Sequence, residues 1–264
     1  MNIIIFGGSG KVGTKVNSFI IKNYKNKNFK IINISRFEQL KVESSQVVYS
    51  KCNLSNEKEI EEIFLMYRPS AVINLSVSYG DYKDQFNINV RFVSILSNFS
   101  TKYNSKLFHF SSSAIFLDSA GSIYKQTKIL GEIEALKSSN IMLLRISAQR
   151  SKISFYSFSL RLIKILPKFI FQFIPQEYKK LRLTGPMDIN ETAKLVSKLA
   201  MGEYFKNKEV INLFGANWFF LFDDKIERRL SERDTADLIK KEYNFHVTLC
   251  DDLFRVININ RNFF

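Results

Sequence analysis

Along this chain, short unbroken apolar runs alternate with longer segments of helical period. Asn2-Ile3-Ile4-Ile5-Phe6 is such a run, and Phe29–Ile34, Gln46–Ser50, Ser70–Leu75, Lys106–Phe110 and Ile141–Ile146 repeat the pattern. Continuous rather than alternating apolar residues mark strands buried on both faces, as in a parallel sheet. Between the runs lie helix-like segments. They are Thr14–Lys22, a stretch opened by Ser55-Asn56-Glu57 and ending near Tyr67 before Pro69, Phe86–Thr101, and a segment whose first turns carry Tyr124 and Lys128. Strands alternating with helices imply right-handed crossovers and a doubly wound α/β sheet of Rossmann type. Further on, Asn190–Met201 has an amphipathic helical period. Lys208–Phe214 and His246–Cys250 read as strands, with a helix to about Tyr243 before the latter. Val77–Asp84 reads as a polar loop where a ligand could lie. Residues 1–150 form the expected nucleotide-binding domain. Residues 151–264 form a smaller substrate-binding lobe interleaved with it.

The first strand runs directly into Gly7-Gly8-Ser9-Gly10-Lys11-Val12-Gly13. Glycines at 7, 10 and 13, between a strand and a helix, allow the backbone to approach a pyrophosphate lying on the helix N-terminus. The second strand ends at Ser35-Arg36 with no acid before Glu38. In dinucleotide folds an acid here binds ribose hydroxyls, whereas an arginine accommodates a 2′-phosphate. Arg36, aided by Lys11, therefore favours NADP(H), with NAD(H) also allowed.

Tyr124 and Lys128 lie four apart on one helix face, with Cβ atoms about 5–6 Å apart. An ammonium beside a phenol favours the phenolate, and a phenol ordinarily titrates near 10. The expectation is that Lys128 lowers the pKa of Tyr124, which then moves a proton near neutral pH. Serines at the end of the preceding strand would hold the substrate oxygen.

Composition narrows the picture. The chain has 264 residues, 45% of them hydrophobic, with a formal charge of +14 and a mean hydropathy of −0.10. The basic residues form no block with interleaved aromatics, so nucleic acid is not an expected partner. With two cysteines, Cys52 and Cys250, and two histidines, no metal site is expected. The first apolar run passes straight into the glycine turn, so no secretory leader is expected and a cytoplasmic location is. The apolar stretch 155–175 is broken by Arg161, Lys164, Pro167 and Lys168, so no stable membrane insertion is expected. Phe158, Leu162, Ile165 and Phe169 share one helical stripe there. It suits either a lid or interfacial helix, or a helix packed on the C-terminal lobe.

Taken together, several motifs resemble the extended short-chain dehydrogenase/reductase family, in its epimerase/dehydratase group acting on nucleotide sugars. They are the glycine turn, Val72-Ile73-Asn74-Leu75-Ser76, Asn89-Val90, Ser111-Ser112-Ser113-Ala114-Ile115-Phe116, Tyr124-Lys125-Gln126-Thr127-Lys128 with Gly131-Glu132, Leu144-Arg145, and Asp188–Ala193. Arg68-Pro69-Ser70-Ala71-Val72-Ile73-Asn74 resembles the dTDP-4-dehydrorhamnose reductase branch. The resemblance implies that Tyr124 is the general acid/base and that Lys128 binds the nicotinamide ribose. Ser112 or Ser113 would hydrogen-bond the reacting oxygen. Counting back four from Phe116 selects Ser112, and counting the serine triplet as in 4-epimerases selects Ser113.

The resemblance further implies cofactor contacts at Gly7, Gly10, Lys11, Val12, Gly13, Arg36, Asn53, Leu54, Asn74, Leu75, Ser76 and Asn89. Ser113-Ala114 or Ala114-Ile115, according to which serine is active, stands where 4,6-dehydratases carry Asp-Glu, which disfavours dehydration. A nucleotide-linked 4-keto sugar reductase is the expected function. A 4-epimerase, or a catalytically silent dinucleotide-binding protein, is the alternative. A nucleotide sugar is the expected substrate, polysaccharide synthesis the expected setting, and the resemblance also allows a homodimer through the Asn89 and Tyr124 helices.

Overall fold

The computed structural model describes residues 1–35, 44–112, 115, 122–146, 149–150, 187–214 and 248–249. The expected Arg36 and Ser113 contacts, the apolar stripe of 155–175 and the helix ending near Tyr243 lie outside the described residues.

One parallel sheet organises the chain. Its strands are β1 (Asn2–Phe6), β2 (Lys30–Ser35), β3 (Val47–Lys51), β4 (Ala71–Asn74), β5 (Lys106–Ser112), β6 (Ile141–Ile146), β9 (Glu209–Phe214) and β10 (Thr248–Leu249). They lie in the order β10-β9-β6-β5-β4-β1-β2-β3. Two short strands, β7 (Gln149–Arg150) and β8 (Met187–Asp188), pair separately and in parallel. The expected doubly wound Rossmann sheet is what forms. Strand order reverses between β1 and β4, where a crevice opens beyond the strand carboxyl ends.

The unbroken apolar runs are explained by burial on both faces. In β1, Ile3 and Ile5 join the core under helices α1 (Lys11–Tyr24) and α6 (Ile189–Ala200). Ile4 and Phe6 join the opposite core with Phe64, Phe92 and Leu96, under helices α2 (Glu57–Tyr67) and α4 (Phe92–Lys102). The Phe6 and Phe92 rings meet edge to face at 5.0 Å. The Ser197 hydroxyl of α6 donates to the Val16 carbonyl of α1 at 3.3 Å.

Helix boundaries follow their caps. α2 begins one residue later than Ser55 suggested, because Asn56 caps it by accepting from the Lys58 N–H at 3.2 Å. The Glu59 carboxylate accepts from the Asn56 side-chain amide at 2.6 Å, which orients that cap. The helix expected from Phe86 starts a turn earlier, as α3 (Tyr82–Phe86), because the Asp81 side chain accepts from the Asp84 N–H at 2.8 Å. It continues without a break through a π-helical turn, Asn87–Arg91, into α4. Helix α5 (Ile123–Ala135) is capped by Ser122.

Cys52 is a free, buried thiol, and burial with the adjacent Glu59 carboxylate pushes its pKa up to about 12. Among the described residues no helix is long and apolar enough to cross a membrane.

Candidate active site

The glycine turn sits at the switch point between β1 and β4. Gly7 has φ +81°, a conformation open to glycine, and its N–H donates to the Ile34 carbonyl at 3.2 Å. A Cβ on Gly13 would stand 2.5 Å from the Gly7 oxygen, so only glycine lets α1 begin so close to the turn. α1 has neither a side-chain cap nor an acid in its first turn, and it opens on Lys11. The first N–H groups of a helix have no intrahelical acceptor. Those of Lys11, Val12 and Gly13 thus point a partial positive charge at the crevice. This cradle, uncapped and basic, fits a pyrophosphate.

The neighbouring strand ends complete the crevice. Leu75 donates to the Phe6 carbonyl at 2.9 Å, which holds the exit of β4 against the glycine turn. Ser76 is buried there with an unpartnered hydroxyl. Asn74 faces inward. Its Oδ1 accepts from the Ser76 N–H at 3.0 Å, so its Nδ2 must be the donor in the 3.1 Å contact with His109 Nδ1. The His109 proton therefore sits on Nε2, which is buried and unpartnered. Burial and then the Lys128 charge hold the His109 pKa well below the ordinary histidine range. On the other side of the sheet, Asn53 spends Oδ1 on the Ser55 N–H, and its own N–H donates to Glu59. Leu54 is buried beside it.

Asn89 plays a part that spacing alone did not show. Its Oδ1 accepts from the Ser78 N–H at 3.0 Å. Its Nδ2 donates to the Ser78 carbonyl at 3.1 Å and to the Thr127 hydroxyl at 3.2 Å. The π-helical turn carries this amide, and α5 crosses it so closely that a Cβ on Gly131 would lie 2.0 Å from the Asn89 carbonyl oxygen. Asn89 thus clamps the loop after β4 and ties it to α5.

The loop so held presents Tyr79, which the sequence reading did not single out. Its ring stacks on Tyr124 with centroids 4.9 Å apart and planes 25° apart. Ser112 at the end of β5 and Tyr79 both act on the Tyr124 hydroxyl, Ser112 favouring the phenolate and Tyr79 disfavouring it. Ser112 and Tyr124 are therefore brought together as expected.

Lys128 is not placed as expected. The lysine stem descends toward the sheet, 2% exposed, and its ammonium donates to the Phe110 carbonyl of β5 at 3.2 Å. Sharing a helix face did not bring it onto the phenol, because a β5 carbonyl lies within reach of the stem. The Tyr124 pKa is accordingly raised, not lowered. Burial is the main cause, the Tyr79 charge and hydrogen bond add to it, and Ser112 opposes it. Lys128 itself is held down to about 8 by burial, against the pull of Glu132. Glu132 in turn grips Arg145 of β6, with Nη2 to Oε2 at 2.7 Å, which locks α5 to the sheet.

The family model for the RmlD substrate-binding domain matches residues 1–148, more than half of the chain. The chain belongs to that family. The RmlD family match spans the glycine turn, Ser112, Tyr124 and Lys128. No curated protein matches the chain.

Among solved structures, the Bordetella bronchiseptica enzyme WbmG in complex with NAD is similar. It has 15% identity over 94% of this chain and 89% of that one, at a TM-score of 0.62. A hypothetical dTDP-4-dehydrorhamnose reductase from Sulfolobus tokodaii has 16% identity over 94% and 85%, at 0.59. A Bacillus anthracis dTDP-glucose 4,6-dehydratase in complex with NAD has 16% identity over 94% and 92%, at 0.63. At these identities the likeness is one of fold.

Proposed function

We propose that this chain is an NAD(P)-dependent oxidoreductase that reduces a 4-keto group on a nucleotide-linked sugar, with Tyr124 as general acid. The observation that carries the reading is the Tyr124 hydroxyl. It stands near Ser112 at the carboxyl end of the sheet, with its ring stacked under Tyr79, and desolvation keeps it protonated. A carbonyl reduction needs a proton delivered to oxygen, and a phenol held in its acid form is suited to deliver it. Membership in the RmlD family and the fold likeness to nucleotide-sugar enzymes support the substrate class.

A dinucleotide bound in the crevice would supply the hydride. The N–H groups of Lys11, Val12 and Gly13, with Gly7 and Gly10, would hold its pyrophosphate. Arg36 with Lys11 would take a 2′-phosphate, which makes NADP(H) the favoured form. Asn53 and Leu54 would border the adenine, and Leu75 and Ser76 the nicotinamide half. Ser112, or Ser113 beside it, would orient the sugar carbonyl. Residues 151–264 would supply the sugar-binding lobe. A cytoplasmic enzyme, as a homodimer through the helices that carry Asn89 and Tyr124, fits this reading.

The test is turnover of a nucleotide-linked 4-keto sugar with NADPH by the wild type and by Tyr124→Phe. The variant should bind the dinucleotide unchanged and lose roughly 10²–10⁴-fold in kcat, the usual contribution of a general acid. Wild-type turnover by Tyr124→Phe would overturn the assignment of the acid. Interconversion of C4 epimers without consumption of NADPH would replace reduction by epimerisation.

A further inference from the structure

The positive charge of the chain is not spread evenly over the fold. Residues 1–35 carry six lysines and no arginine, aspartate or glutamate. Lys11, Lys15, Lys22 and Lys25 recur along α1 and its C-cap at intervals of four, seven and three, so they share one side of the helix. Gly13, Val16, Asn17, Ile20 and Tyr24, which pack into the fold, lie on the opposite side. The four lysines are exposed, in a line about 20 Å long. Lys27 and Lys30, exposed as well, carry the charge past the end of the helix.

We propose that this face of α1 is a docking surface for an anionic lipid bilayer, on which the protein lies peripherally, held by charge and not by insertion.

Stability of the helix does not account for the lysines. Lys22 and Lys25, near the C-terminus, complement the helix dipole, whereas Lys11 opposes it. Lys11 belongs to the crevice, but Lys15, one turn on, and Lys27 and Lys30, beyond the helix, gain nothing from the dipole. No ion pair joins any of the six to another described residue. The acid tied to α1 is already engaged, because Glu203 accepts from Lys198 at 2.8 Å and from the Tyr24 hydroxyl. Across the sheet, α2 carries Glu57, Glu59, Glu61 and Glu62. The lysine face is thus a local field of one sign.

The chemistry of the face selects the partner. Nucleic acid is gripped by exposed rings that stack on bases and by arginine forks on phosphate. Here Tyr24 and Phe29 are buried and Phe19 is half-buried, so no exposed ring stands among the lysines. Lysine ammoniums are compact point charges on flexible stems, suited to many headgroups at once. Thr14 and Ser18, the exposed residues between them, are small and uncharged, so a flat surface can approach. The apolar side of α1 is spent on the core, which leaves charge as the means of attachment. Each lysine close to an anionic bilayer adds about fivefold in affinity.

The experiment is vesicle flotation. Wild type is compared with a triple variant, Lys15→Gln, Lys22→Gln and Lys25→Gln. A second triple variant, Lys51→Gln, Lys58→Gln and Lys83→Gln, removes exposed lysines elsewhere. Both lose the same charge, so the pair separates the α1 face from the overall charge of +14. Vesicles of phosphatidylcholine alone, and of phosphatidylcholine with about one-third phosphatidylglycerol, supply the neutral and anionic surfaces. Wild type should float with the anionic vesicles only, and raising the salt from about 0.05 to about 0.3 M should release it. The α1 variant should bind about a hundredfold more weakly, and the second variant should stay within about fivefold of wild type. Binding to vesicles needs no turnover, so the outcome is independent of the reading of Tyr124.

Equal losses in the two triple variants would overturn the inference. So would wild type that ignores the anionic vesicles or floats equally with the neutral ones. Tighter binding to a single-stranded RNA homopolymer than to the vesicles, lost in the α1 variant, would also overturn it and make the face a nucleic-acid surface.

Discussion

Replacing Gly131 by alanine tests how tightly α5 is docked on the turn that carries Asn89. The new Cβ would lie 2.0 Å from the Asn89 carbonyl oxygen, where ordinary contact begins at 3.4 Å. The obstacle is backbone, with no flexible side chain to swing aside, so α5 or the π-helical turn must withdraw by more than an ångström. Overpacking of this kind costs about 1–3 kcal/mol, and a backbone clash belongs at the upper end. Alanine within a helix gains about 1 kcal/mol over glycine, which offsets part of that. The net expectation is a loss of about 2 kcal/mol, or roughly 4–8 °C in Tm for a domain of this size. Thermal unfolding followed by circular dichroism measures it. Ile133→Ala, at an exposed position of the same helix, serves as control and should stay within about 0.5 kcal/mol. Because Asn89 anchors Ser78, Gly131→Ala should also loosen the Tyr79–Tyr124 stack. An unchanged or raised Tm would refute the reasoning, since it would mean that helix and turn separate without cost.

Two predictions concern pH. Lys128 is held down to about 8 in the fold against 10.5 when free, so the unfolded chain binds more protons between those values. Its burial therefore costs stability below pH 8, and the cost is relieved as pH rises toward 10.5. Lys128→Met should be more stable than wild type at pH 7 by on the order of 3 kcal/mol, and urea unfolding should show the gap closing by about pH 10.5. A gap independent of pH would contradict this. His109, kept neutral by burial, charges in the unfolded chain first, so its contribution to stability is lost as pH falls below 6.5. His109→Gln should flatten the acid side of the stability curve, and an acid limb as steep as that of the wild type would count against it.

Much of the sheet was legible because apolar runs buried on both faces leave a clear trace, as in Ile3-Ile4-Ile5-Phe6. The glycine turn was legible because steric need fixes glycine at Gly7 and Gly13. What the one-dimensional pattern concealed was the direction of long side chains. Tyr124 and Lys128 do share a face, yet the β5 carbonyl that captures the lysine becomes visible only once α5 is laid on the sheet. Tyr79 escaped notice because an aromatic in a polar loop carries no period. Its position depends on Asn89, a partner ten residues further along the chain. Asn89 itself read as a cofactor contact, whereas its amide is engaged with Ser78 and Thr127. The earlier start of α3 was missed because Asp81 caps it from within a run that reads as loop.

The central claim is that the crevice at the switch point binds a phosphorylated dinucleotide for a reduction. Calorimetric titration with NADPH, NADP+, NADH and NAD+, after a check for cofactor that co-purifies, addresses it most directly. The account predicts binding of all or some of the four, tightest for NADPH, with the preference for the phosphorylated pair lost in Arg36→Ala. Binding of none of them by the folded protein would contradict it.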